Sequence, residues 1–154
     1  MKKQAQIKKN QSDIIRHSLA HILAAAVLEI FPKAKLGIGP TIENGFYYDF
    51  DNIKIADADL PGVEKRMREL IKKDLKFEKE NVSLVQVKKL FKDQPYKLEL
   101  VRDLIKTKSP ITIYTSSGFT DLCKGPHVKS SKEISPDAFK LTKTAGAYWK
   151  GSEK

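Results

Sequence analysis

Residues 16–31 read RHSLAHILAAAVLEIF, and this run decides how the rest of the chain is read. Alanine, leucine and isoleucine dominate it, so a helix here is apolar on nearly all sides and belongs inside a core. Yet His17 and His21 stand four positions apart on one face, about 6 Å from each other. A histidine on an apolar face is most often a core residue satisfied by a hydrogen bond. Two at this spacing can instead converge on one atom or one substrate. Ser12 or Asp13 caps such a helix, and Pro32 stops it after Phe31.

Outward from this helix, short-strand and short-helix signals alternate. Residues 1–11, MKKQAQIKKNQ, are polar and lysine-rich and read as a flexible basic tail. From 35 to 51, KLGIGPTIENGFYYDFD carries Gly37, Gly39, Pro40 and the Asn44-Gly45 turn signal, which predicts two short strands around a loop. Asp57 to Pro61 opens a second helix, with Val63, Met67, Leu70, Ile71 and Leu75 at helical spacing and charged residues opposite. A strand at 77–82 follows, then a third helix from a Ser83/Gln86 capping box through Phe91. Gln94-Pro95 breaks that helix, and YKLELVRDLI forms a fourth. ITIYTSSGFTDLC, 111–123, predicts a hairpin around residues 116–118, and FKLTKTAGAYW, 139–149, a last strand. Short helices interleaved with hairpins define an α+β domain over 12–154, an antiparallel sheet with several helices packed on it.

Composition sets the outer limits. A chain of 154 residues that is 40% hydrophobic builds one domain with a real core. Its 29 Lys+Arg against 19 Asp+Glu give a net charge of +10. That excess points to a polyanionic partner, most simply nucleic acid, although a lysine-rich soluble surface reads the same way. A single cysteine excludes an intramolecular disulfide, so nothing argues for secretion. The longest apolar run, about residues 19–31, is too short to span a bilayer and is broken by His21 and Glu29. The expectation is a cytoplasmic protein with no membrane partner.

At the other end of the chain, DLCKGPHV places Cys123 and His127 four positions apart in a loop braced by Gly125 and Pro126. All three histidines and the only cysteine therefore fall into two pairs, about a hundred residues apart. Two chemistries fit them. Three histidines and a thiolate match a tetrahedral zinc site, with His17, His21, Cys123 and His127 as ligands. A site using all four has no open position for water, so it is structural or must lose a ligand to work. A metal-free cleft would instead use the histidines, with nearby Lys, Asp and Tyr groups, to orient a water against a carbonyl. Spacing leaves both open.

Three stretches carry a family resemblance: HSLAHILAAAVLEIFPKAKLGIGPTIENGFYYDFD (17–51), DLCKGPHV (121–128) and FKLTKTAGAYWKG (139–151). They resemble the editing domain of bacterial-type threonyl-tRNA synthetases over nearly all of residues 12–152. The HxxxH and CxxxH pairs are shared with freestanding alanyl-tRNA editing proteins, whereas the IGPTIENGFYYDF and LTKTAGAYWKG runs are much more specific. The resemblance implies hydrolysis of mischarged seryl-tRNA(Thr), an aminoacyl-tRNA hydrolase activity within a threonine–tRNA ligase, with no cofactor required and zinc (Zn) an optional one. It implies the acceptor end of tRNA(Thr) as partner and the catalytic domain of the same synthetase as neighbour. Matched motif by motif, catalytic roles fall on His17, His21 and Lys97, and substrate-binding roles on Tyr48, Asp121, Cys123 and His127. The aminoacylation domain has no counterpart in these residues, so the expectation is a segment of a longer enzyme or else a freestanding deacylase.

Physical chemistry gives such a domain a reason to exist. Serine lacks one methyl of threonine, and a missing methyl yields only about 1–3 kcal/mol of discrimination, too little for faithful translation. A second site must destroy the error. Hydrolysing an aminoacyl ester needs a positioned water, a base or acid of near-neutral pKa and donors for the developing oxyanion. His17 or His21 with Lys97 is expected to orient or activate the water, with Asp121 and Cys123 holding the seryl amino or hydroxyl group and Tyr48 and His127 shaping the pocket. Alanine at His17, His21 or Lys97 is expected to abolish deacylation with the fold intact. Lys65, Arg66, Lys72 and Lys73 are candidate phosphate contacts, which would make tRNA binding salt-dependent. Two alternatives stand beside this reading: a basic RNA-binding module stapled by structural zinc, and a freestanding deacylase of the alanyl-tRNA editing type.

Overall fold

The structure, a computed structural model, describes residues 2–116 and 118–145, with side chains from residue 11 onward. Helix α1 spans Lys2–Ile30. Every residue from Ser18 to Val27 is buried, as an apolar run with no polar side requires. Helical backbone reaches back to Lys2, through the residues that composition reads as a loose tail. Alanine, glutamine and lysine favour helix, no glycine or proline interrupts them, and a helix already nucleated in the core propagates along them.

Helix α2, Leu60–Lys72, packs against α1 and follows a 3-10 turn at Asp57–Asp59. Val63, Met67, Leu70 and Ile71 are buried where the spacing predicts, joined by Leu60 at the helix start, whereas Leu75, counted in the same stripe, is buried beyond the helix end. Each such side chain removed from water contributes about 1.5–3 kcal/mol. Lys65, Lys72 and Lys73 face solvent on the opposite side. Arg66 does not stand free: it bonds Glu29 near the end of α1 and Glu69 on its own helix, the latter at 3.0 Å. That engagement removes Arg66 from the set of uncommitted phosphate contacts.

Residues 35–51 form one interrupted hairpin of four two-residue strands. β1 (Lys35–Leu36) pairs with β4 (Phe50–Asp51), and β2 (Thr41–Ile42) pairs with β3 (Gly45–Phe46), all antiparallel. The turn sits on Glu43 and Asn44, with Asn44 at φ 61°, a left-handed conformation that asparagine tolerates. Lys35 opposes Asp51 whereas Thr41 opposes Phe46, so the register slips by one residue between the two ladders. The Gly37–Pro40 side carries the extra residue, which is why two continuous strands break into four. The bulge turns the Tyr48 ring inward over Gly39, where any Cβ would run into it.

A three-stranded antiparallel sheet, order β5-β6-β7, forms the other half of the domain. β5 is Glu78–Asn81, β6 Thr112–Ser116 and β7 Phe119–Leu122. Between β5 and β6 lie α3 (Leu84–Leu90), whose Ser83/Gln86 capping box forms as predicted, and α4 (Pro95–Lys106). Val87, Phe91, Val101 and Ile113 make a second small core there. Beyond β7 the chain runs beside residues 75–77, where Phe77 N–H bonds Lys129 O and Ser131 N–H bonds Leu75 O. Among the described residues, four α-helices and small antiparallel sheets make this an α+β fold. No strand forms over 139–145, because carboxylates on the α2 side take the backbone donors: Leu141 N–H bonds Glu64 and Thr144 N–H bonds Asp57. The remainder of that predicted strand, 146–149, lies outside the described residues.

One hydroxyl locks the two ends of the sequence together. Ser18 Oγ donates to Ile14 O at 2.8 Å and accepts from Val128 N–H at 2.9 Å, with Ser18 itself fully buried. Ser18→Ala leaves the Val128 donor buried without a partner, which costs about 1–3 kcal/mol. Urea denaturation should show a lowered midpoint with an unchanged slope, and an unchanged midpoint would count against this lock.

Candidate active site

The buried part of α1 carries His21, and the loop after β7 carries His127. His21 Nε2 lies 2.8 Å from Ser116 Oγ at the end of β6. The Ser18 lock draws the loop against α1, so the His127 ring centroid stands 5.5 Å from that of His21 and 6.2 Å from that of His17. Tyr114 closes the other side at 4.3 Å from His127. Gly125, at φ 79°, lets the loop pass over the Tyr114 hydroxyl, where a Cβ would collide. The two distant pairs of the sequence thus meet in one place.

Burial sets the chemistry of these imidazoles. His21 is held down to about 4 by burial, opposed by Asp121 and reinforced by Lys97. His127 is held down to about 3 by burial first and then by the neighbouring His21 and His17. Both are neutral at pH 7. His21 Nδ1 and both ring nitrogens of His127 are buried without a hydrogen-bond partner among the described residues. His17 sits at the rim, 26% exposed, with Nε2 3.7 Å from Asp13 Oδ2.

Beside the histidines lies a buried charged trio. Lys97 Nζ on α4 meets Asp121 Oδ1 on β7 at 2.6 Å, with their side chains only 2% and 7% exposed. Tyr48 donates its hydroxyl to Asp121 Oδ2 at 2.7 Å, and Leu122 N–H donates to Oδ1 at 2.7 Å. Lys97 Nζ also lies 5.2 Å from the centre of the Tyr48 ring. Burial pushes the Asp121 carboxyl up, but the Lys97 charge, His21 and the hydrogen bonds from Lys97 and Tyr48 outweigh it, so the group stays ionised below its usual range. Burial, and then the charge of Asp121, pushes the Tyr48 phenol well up, so it remains a donor. Burial likewise pushes the Cys123 thiol up, against a 3.3 Å hydrogen bond from Gly125 N–H to Sγ.

All seven residues singled out in the sequence therefore belong to one region, in two linked groups. His17, His21 and His127 form the first, and Lys97, Asp121 and Tyr48 the second, with Cys123 at the start of the loop between them. Among Phe46, Tyr47 and Tyr48, it is Tyr48 that reaches Asp121. Among the described residues, no three His, Cys, Asp or Glu side chains are arranged to hold a metal ion. A cavity of about 350 Å³ opens beside His127, between Gln11, Ile14 and Ile15 of α1 and residues 128–133. Sequence reasoning missed Ser116, Tyr114 and Ser18. Ser18 was the most accessible of these, since a serine between two histidines in HSLAH has few apolar reasons to be there.

Lys97 cannot be a removable appendage. Deleting one partner of a buried ion pair strands the other charge and costs about 3–5 kcal/mol. The expectation that Lys97→Ala leaves the fold intact is thus corrected: that variant should lose most of the domain's stability by urea denaturation, while Lys97→Met with Asp121→Leu should recover much of it. A single variant as stable as the parent would contradict the pairing. The buried imidazoles make a second prediction. Their folded values lie below the unfolded value of 6.5, so the unfolded chain binds more protons between the two. Stability should be full above about pH 7 and fall as pH drops from 6.5 toward 4, approaching about 1.4 kcal/mol per pH unit for each imidazole. A flat urea midpoint between pH 7 and 5 would contradict two buried neutral rings.

The family model of the threonyl and alanyl tRNA synthetase second additional domain matches residues 111–154, which include Asp121, Cys123 and His127. Over 140 residues, 90% of this chain, the sequence is 55% identical to the threonine–tRNA ligase of Borrelia hermsii and 51% identical to that of Borreliella burgdorferi. Over 143 residues, 92% of this chain, it is 52% identical to the threonine–tRNA ligase of Dehalococcoides mccartyi. In each case the match covers 24% of the relative, so the chain spans about a quarter of the length of the curated relatives it matches. No helix among the described residues is long and apolar enough to cross a membrane. Motifs, fold and relatives agree: the chain is a domain of the threonyl-tRNA synthetase editing type.

Proposed function

We propose that this domain hydrolyses the ester of seryl-tRNA(Thr), the mischarged product of a threonine–tRNA ligase, with the acceptor end of the tRNA as its macromolecular substrate. The observation that carries the reading is the set of buried, unpartnered ring nitrogens on His21 and His127 beside the rim histidine His17. Buried polar atoms are almost always satisfied, so a group of orphans marks where a water or a substrate atom is meant to bond. Both buried imidazoles are poor proton acceptors at pH 7, which leaves His17 to take the proton from the attacking water. The Lys97 ammonium, fixed by Asp121 and Tyr48, supplies positive charge toward the developing oxyanion in a site of low dielectric. Asp121 and Cys123 serve the seryl amino or hydroxyl group, and Tyr48 and His127 crowd the space that threonine's extra methyl would need.

The proposed chemistry uses no metal. The zinc reading would need the Cys123 thiol deprotonated and imidazole nitrogens of His17, His21 and His127 turned to one point, and a chelator decides between the two chemistries. The domain is read as one part of a longer ligase that acts in the cytoplasm, with the synthetic domain as its neighbour. Exposed Lys65, Lys72 and Lys73 on α2 offer phosphate contacts without sequence preference.

Single-turnover deacylation assays test the reading. Seryl-tRNA(Thr) should be hydrolysed and threonyl-tRNA(Thr) spared, a chelator should change neither rate, and His17→Ala should slow the seryl reaction about 100-fold or more. Failure to hydrolyse seryl-tRNA(Thr) would overturn the function, and loss of activity with chelator would replace the metal-free chemistry by the zinc reading.

A further inference from the structure

Asp13 lies one helical turn below His17 on α1, so 13, 17 and 21 stand in a row along one face. Its two carboxylate oxygens are divided between two tasks. Oδ1 accepts a hydrogen bond from Thr41 Oγ1 at 2.8 Å, a contact that ties α1 to the first strand of the β2–β3 hairpin. Oδ2 faces His17 Nε2 at 3.7 Å. Arg16, next to His17, approaches Oδ1 at 3.7 Å. On the other side of His17 stands the His127 ring, 6.2 Å away.

We propose that Asp13, clamped by Thr41, is a positioning residue that fixes the ring orientation and tautomer of His17 for hydrolysis. The proposal rests on the function argued above, in which His17 handles the proton of the attacking water. An imidazole that must accept a proton works only if its lone pair is on the nitrogen facing the water, and the partner of the other nitrogen decides that. A carboxylate opposite Nε2 selects the Nε2–H form and leaves Nδ1 as the acceptor. At 3.7 Å the carboxylate and ring are within reach but not yet hydrogen-bonded, and such contacts characteristically shorten when substrate fills the site. Thr41 matters because an unclamped surface carboxylate paired at i, i+4 has many rotamers and contributes little. With one oxygen held from a different element, the other has a defined direction. The hairpin that holds it is itself fixed by the Glu43-Asn44 turn and by the bulge that turns Tyr48 inward, so one local structure orients groups on both sides of the site.

Three variants of the chain test this: Asp13→Asn, Asp13→Glu and Thr41→Val. Asp13 is 46% exposed, so each should fold, with thermal melts close to the parent's. In single-turnover deacylation of seryl-tRNA(Thr), Asp13→Asn should lower the rate at saturating protein by about 10- to 100-fold, the range seen when an orienting partner is removed. The half-saturating concentration should stay within about twofold, since binding is not what the carboxylate controls. Asp13→Glu should recover part of the rate, and Thr41→Val should show a smaller loss of the same kind. An unchanged rate in Asp13→Asn, or a loss expressed wholly in half-saturation, overturns the proposal. Long-range 1H–15N spectra of the His17 ring keep this test separate from the function itself. The parent should show mainly the Nε2–H tautomer and Asp13→Asn a shift toward the other form, whether or not seryl-tRNA is the substrate. Identical tautomer populations in the two proteins would overturn the proposal as well.

Discussion

A lysine and an aspartate, both cut off from water, meet at 2.6 Å near the middle of this domain, and neither can be there without the other. Removing an isolated charge from solvent costs several kcal/mol even after relaxation, so a buried ammonium demands a carboxylate with good geometry and further hydrogen bonds. Tyr48 and Leu122 N–H supply those bonds. The requirement draws together α4, β7 and the end of the bulged hairpin, three segments that share no local sequence signal. Replacing the trio with apolar side chains would make a cheaper core. Its persistence in the interior, against the histidine group, is what gives the region a chemical rather than a packing character.

The histidine group depends on a different constraint, the fit of the 123–128 loop against α1. Ser18 accepts Val128 N–H from within an otherwise apolar helical face, and Gly125 takes the left-handed backbone that allows the loop to cross Tyr114. Once the loop is there, His127 has nowhere to point but toward His21 and His17. The aromatic rings of Phe77, Phe119 and Tyr114 surround the histidines, edge-on except for the tilted Phe77–His127 pair. Those walls remove water, which is why burial dominates the titration of His21 and His127. Neutral imidazoles, a fixed ammonium and orphaned ring nitrogens make a set suited to binding and polarising a small polar group.

Much of this was legible in the residues because the relevant signals are local. The apolar stretch around HSLAH, the Ser83/Gln86 box, the α2 stripe and the 112–122 hairpin each depend on neighbours within a few positions, and each forms where the pattern places it. The i, i+4 spacing of both site pairs is equally local. What spacing cannot carry is the partner of a residue far along the chain. Nothing near Lys97 announces Asp121, nothing near Arg66 announces Glu29, and Ser116 acquires its role only when β6 ends beside His21. The bulge at Gly37–Pro40 was visible as glycines and a proline, but its effect on register follows only from the pairing. The helical continuation to Lys2 and the strandless 139–145 segment show the same limit in reverse: composition reads an element's intrinsic preference, while a packed helix downstream or a carboxylate across the way decides the outcome.

On the proposed function, the two sequence-distant pairs and the Lys97–Asp121–Tyr48 trio together receive the serylated end of an acceptor strand. An unreactive analogue of the terminal nucleoside, with an amide in place of the seryl ester, tests it most directly when titrated into the chain labelled at histidine and lysine and followed by NMR. The ring signals of His17 and His127 and the side-chain signal of Lys97 should move together along one binding curve, and the threonyl analogue should produce at most a small fraction of the shift. Shifts confined to the exposed lysines of α2, or equal responses to the seryl and threonyl analogues, would contradict it.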